Sequence, residues 1–238
     1  METHHFSETI IPGKGQVHIQ VDVGEITILP HNQSDTVLVD ATVNDVDVTV
    51  HRQGETIFVR AERREESGIA GKIGRLLNND YKTELTVHVP TDCAVNAKAA
   101  TGKIHVSGLS APVDTFVVTG QTQLHDLGGP VRAKAVTGQV KYAGDLTAVN
   151  HRFETVTGSV HLNLNPNLNA RLDTQTTTGH LRCQLPLSDR QDRNFLTGSR
   201  VKGTAGAGTG HIKARVVTGQ LIVESNAIKD KPVVEKEI

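Results

Sequence analysis

Apolar and polar residues alternate along most of this chain, and glycine punctuates the alternation. Over residues 16–62 the runs "QVHIQVDVGEITILP", "DTVLVDATV" and "DVDVTVHRQGETIFVRAE" keep a period of two, the mark of half-buried strands. Gly24 breaks the first run, and Gln53-Gly54 supplies a hairpin signal in the last. Residues 65–80, "EESGIAGKIGRLLNND", lose the alternation and carry three glycines, which predicts a loop with a short helix over Gly71 to Leu77. "GIAGKIG" is not a phosphate-binding loop, because its glycine spacing is wrong and no Ser or Thr follows Lys72.

From about residue 90 the alternation becomes a repeat. Thr-Gly stands at 101–102, 119–120, 137–138, 157–158, 178–179 and 218–219, with further copies at 197–198 and 209–210. The first intervals are 18, 18, 20 and 21 residues. Two and four positions after the glycines come pairs such as Ile104 and Val106, Val140 and Tyr142, Val160 and Leu162. Three and five positions before them come small residues, such as Ala99 and Ala97 or Ala135 and Ala133. Side chains on a strand alternate between faces, so these positions are expected to point inward.

A period near 20 with an internal period of two predicts an all-β, parallel β-solenoid of 18–21 residues per coil. Helical repeats are excluded, since their apolar period would be 3.6. Gly102, Gly120, Gly138, Gly158, Gly179, Gly210 and Gly219 are the predicted corners, where the chain must turn sharply between strands. The preceding threonines are expected to hydrogen-bond from rung to rung. Residues 1–89 then form β-rich layers continuous with the solenoid, 90–225 the repeat, and 226–238 a charged tail that blunts the open end. Residues 184–210 read as a surface excursion, which returns through "GTAGAGTGHIKARVVTGQLIV" for a final rung.

Composition narrows this picture. Aromatics make up only 3%, with no Trp and one Met, so small and β-branched residues must fill a thin core. The net charge of −1 gives no global field toward nucleic acid or membranes. Twelve histidines would make the chain strongly cationic between pH 7 and 5. Cys93 and Cys183 read as buried small hydrophobes, with a single disulfide as the alternative. The start "METHHFSETIIPGKG" has no signal-peptide pattern, and no apolar run is long enough for a membrane helix. The expectation is a soluble, cytoplasmic chain, unless an export signal is missing from this sequence.

"GEITI" near the start, "LTVHVP" before the repeats, the serial Thr-Gly rungs and the closing "GTGHIKARVVTGQLIV" resemble the bacterial putative-adhesin family of β-solenoid domains. The resemblance spans residues 15–225 and rests on architectural glycines. It implies a parallel β-helix and surface adhesion or an envelope-associated role, and it brings no catalytic residue.

Parallel β-helices can host enzymes acting on polysaccharides, which need two facing carboxylates about 5 to 9.5 Å apart. Six positions before successive glycines stand Asp114, Arg132, Arg152 and Asp173, so the acids are separated by arginines; Glu154 and Asp145 stand alone. No nucleophile elbow or zinc-protease motif occurs, and "GTAGAGTG" reads as a tight turn rather than a phosphate cradle. No catalytic, cofactor or metal residue is expected. One constellation remains. The outward positions one and three after the glycines at 102, 120, 138, 158, 179, 210 and 219 include no acid. This predicts a ligand strip of Lys103, His105, Lys141, His161, His180, Arg182, His211 and Lys213 on one outer sheet. Its partner would be an anionic glycan or another anionic or polyhydroxylated polymer, while the lack of aromatic platforms argues against specific nucleic-acid binding. An ordinary solvated face, a polysaccharide-acting enzyme, and a scaffold self-associating through its ends or faces are the alternatives.

Overall fold

The computed structural model describes residues 1–33, 35–63, 82–146 and 149–225. The expected loop or short helix at 65–80 and the tail from 226 lie outside these residues. Every regular element among the described residues is a strand.

Strands β7 (Ala94–Ser107), β8 (Val113–His125), β9 (Val131–Gly144) and β10 (Asn150–Leu164) stack in parallel. Gly102 lies opposite Gly120, Gly120 opposite Gly138, and Gly138 opposite Gly158. Each strand is one rung of a parallel β-solenoid, bent in the middle. The bend is visible in burial: Val95, Ala97 and Ala99 are buried before the glycine and Ile104 and Val106 after it, while Ala100 and Thr101 are both exposed. A straight strand alternates strictly, so two successive exposed residues mark a change of phase. At that point Gly102 has a φ of 145°, and a β-carbon there would overlap the carbonyl oxygen of Gly24 on the next rung. The glycine column is therefore a fold line, with a first face formed by the segments before it and a second face by those after it. Leu109, Leu127, Leu146 and Leu168, buried in the turns between rungs, close the remaining side of the core. The expected bonds between corner threonines are absent: Thr119, Thr137 and Thr157 are exposed, and no Thr–Thr hydrogen bond joins them among the described residues.

Rungs are not laid down in chain order at either end. Strand β2 (Gln16–His31) is a bent rung, with Gly24 in register with Gly102. The rung beyond it is split between β5 (Thr56–Arg63) on the first face and β6 (Lys82–Pro90) on the second. Strand β4 (Val46–Gln53) pairs antiparallel with β5 through the hairpin expected at Gly54. Strand β3 (Thr36–Asn44) covers β6, and β1 (Glu2–Thr9) covers β3, both antiparallel.

At the other end, β14 (Gly210–Ser225) is not the final rung that the sequence suggested. It lies between β10 and β11 (Ala170–Cys183), with Gly219 opposite both Gly158 and Gly179. Strands β12 (Ser188–Asn194) and β13 (Ser199–Ala205) explain this. They form an antiparallel hairpin whose β13 occupies the outer edge of Ala170–Thr176, so the returning chain pairs with the inner edge. Gly210 is consequently not a corner; it opens β14 opposite Ala170.

Small and β-branched residues fill much of the core, and within it Phe153 meets Tyr142 with ring centroids 5.7 Å apart. The Tyr142 hydroxyl donates to the backbone carbonyl of Asp145 at 2.6 Å. Both cysteines are free and buried. Burial first, and then the charge of Asp92, push the Cys93 thiol up to about 12, so it serves as inert filling.

Candidate functional site

Because rungs stack in register, each outward position forms a column running across the solenoid, with members about 4.8 Å apart. Of the predicted strip, Lys103, His105, Lys141, His161, His180 and Arg182 do share the second face. His211 and Lys213 do not. They stand opposite Asn150 and Arg152 on the first face, because the true corner of β14 is Gly219 and they precede it. The strip is also less cationic than it looked. Glu25, one position after Gly24, lies in register with Lys103, their charged atoms 3.9 Å apart. His161 pairs with Glu224 at 2.8 Å. The inserted β14 places Gln220 and Ile222 between the β10 and β11 contributions. His105 sits 5.7 Å from His125, ring to ring, and burial first and then that neighbour lower its pKa.

The denser array of charge is on the first face. Six positions before the glycines, in spatial order, run His18, Asn96, Asp114, Arg132, Arg152, Lys213 and Asp173. Three successive cations thus occupy the middle of one column. A groove of about 580 Å³ follows this column, and Gln16, Pro112, Pro130, Asn150 and His211 contribute to its lining. A second hollow of about 660 Å³ also borders His211 and carries Arg171, Asp173, Gln191, Lys202 and Thr204. Beyond the groove, nearer the corner, Val118, Val136, Val156 and Val217 form an exposed apolar column.

Three acids of this face have shifted pKa values. Burial raises the Glu154 pKa, but hydrogen bonding and charge from Arg152 at 2.6 Å and Lys134 at 3.6 Å outweigh it and hold the carboxylate below its ordinary range. Asp173 is likewise half-desolvated yet held low by Arg200, which grips both carboxylate oxygens at 2.9 and 2.7 Å. Asp114 is the reverse. Burial raises its pKa against the weaker pull of Arg132, Lys134 and Lys98, and it has no ion pair among the described residues. Arg132 and Lys213 make no ion pair among the described residues; Arg132 acts on Asp114, and Lys213 on Asp173, through space alone.

Asp114 and Asp173 are four rungs apart, roughly 19 Å, against the 5 to 9.5 Å that glycoside hydrolysis needs. Glu154 is spent on its own cations. Among the described residues, no group of three or more His, Cys, Asp or Glu could hold a metal ion, and no helix is long and apolar enough to cross a membrane. Arg132 and Arg152 already stood together in the sequence, six positions before their glycines, where they read only as spacers between acids. Lys213 as the third cation required the position of β14.

No protein-family model matches the chain, and no curated protein matches it in sequence. Its fold is similar to that of the crystal structure of a "putative cell adhesion protein" from Clostridium sporogenes, with a TM-score of 0.50 and 8% identity, covering 94% of this chain and 100% of that one. A "putative adhesin" from Bacteroides fragilis aligns with a TM-score of 0.46 and 10% identity over 93% of this chain and 97% of that one. At 8% identity the first likeness shows a shared all-β fold.

Proposed function

We propose that the chain is a non-enzymatic, adhesin-like binding module with a surface or envelope-associated role, which holds an anionic or polyhydroxylated polymer lengthwise across its rungs. One observation carries this reading: the in-register glycine column converts each outward position into a ladder of about 4.8 Å spacing, and one such ladder holds Arg132, Arg152 and Lys213 on successive rungs. A polymer presents repeated groups, and a ladder meets them repeatedly, so weak single contacts add along the chain. The four-rung separation of Asp114 and Asp173 supports binding without turnover. The test is titration with heparin-like, teichoic-acid-like and neutral glycans at two salt concentrations. Tighter binding of the anionic glycans, weakening with salt, is expected. Absent binding of all three would refute the reading, and equal binding of all three would make the polymer's hydroxyls, not its charge, the recognised feature.

A further inference from the structure

We infer that the binding site is the groove on the first face, and that its ligand is an acidic polysaccharide bearing carboxylates along a hydroxylated chain. This rests on the binding-module reading and names the site and the ligand class within it. Three features of the groove point the same way. Arg132, Arg152 and Lys213 stand one rung apart, and guanidinium groups match carboxylates through paired N–H donors. Arg152 is tethered to Glu154, which fixes its direction without using Arg132 or Lys213. The same column carries Asp114, a half-buried acceptor with no ion pair among the described residues, to which a ligand can offer donors. Sugar hydroxyls are such donors.

A polyphosphate or nucleic-acid backbone offers mainly acceptors and would meet Asp114 as a repulsive group. No Phe, Tyr or Trp lines the groove to stack nucleobases. Pro112 and Pro130, exposed and one rung apart, add a rigid apolar wall suited to the C–H faces of sugar rings. Cations for carboxylates, an acceptor for hydroxyls and an apolar wall for ring faces are the requirements of one ligand class.

The experiment is calorimetric titration of the full chain with an oligogalacturonate, its carboxyl-reduced counterpart, and polyphosphate. Three proteins are compared: wild type, Arg132→Glu with Lys213→Glu, and Lys141→Glu with Arg182→Glu on the second face. Thermal melting of each verifies folding, and since these side chains project from the stack the variants are expected to melt with wild type. Wild type should bind oligogalacturonate, and carboxyl reduction should remove most of that affinity. The groove variant should bind at least about tenfold more weakly, while the second-face variant should bind like wild type. Loss of binding in the second-face variant alone would overturn the assignment of the groove and leave the module reading intact. Polyphosphate binding more tightly than oligogalacturonate would overturn the ligand class. Failure of wild type to bind any anionic polymer, including those of the preceding section, would remove the module reading itself.

Discussion

Gly120 lies directly against the carbonyl oxygen of Gly102 on the neighbouring rung, so closely that a β-carbon on Gly120 would overlap that oxygen. Its φ of 144° is itself a conformation that side chains disfavour. The two constraints compound, because the clash is with backbone that every other rung holds in register. Gly120→Val should therefore cost roughly 4 kcal/mol or more, or abolish folding, as read by urea denaturation. A cost below about 1 kcal/mol would show that the corner relaxes freely.

The position of β14 between β10 and β11 makes the C-terminal strand an internal member of the stack. A chain ending at residue 209 would leave those two rungs about 9.6 Å apart, twice the pairing distance. Truncation there should expose everything beyond Leu164 to proteolysis, including β11 and the β12–β13 hairpin. If β14 were merely a last rung, the same truncation would leave β11 protected on β10.

Asp114 and Asp173 occupy one column yet should respond oppositely to neutralisation. The folded-state pKa of Asp173 is depressed, so its contribution is present above the unfolded value near 3.9 and is lost as pH falls through the folded one. Asp173→Asn should cost about 1 kcal/mol at pH 7 and much less below pH 3. The folded-state pKa of Asp114 is raised, so its ionisation opposes folding above the unfolded value. Asp114→Asn should be neutral or slightly stabilising at pH 7. Denaturation curves of both variants at pH 3 and pH 7 decide the signs.

His18 and His105 both have lowered pKa values, His18 through burial and then Lys98, His105 through burial and then His125. A histidine that resists protonation in the folded state contributes stability above its unfolded pKa near 6.5, and that contribution is lost as pH falls below it. The protein should lose stability between pH 7.5 and 5.5, and the double variant His18→Gln with His105→Gln should flatten that slope by less than about 1 kcal/mol. Melting temperatures across the range report it. An unchanged slope would place the acid sensitivity elsewhere.

What the sequence determined was the coil. The spacing of Gly102, Gly120 and Gly138, with Ile104 and Val106 after the first and Ala97 and Ala99 before it, sets corner, period and inward face, because local sterics and side-chain alternation act over a few residues. Tertiary structure decided the order of the rungs. Every rung offers a similar hydrogen-bonding edge and a similar inward pattern, so nothing within "GHIKARVVTGQLIV" states whether it follows β11 or slides beneath it. In the structure β13 lies on the outer edge of Ala170–Thr176, and β14 lies on the inner one. That placement separated His211 and Lys213 from the second-face strip and set Lys213 beside Arg152, since a side chain's neighbours across a solenoid depend on which strand lies next to its own.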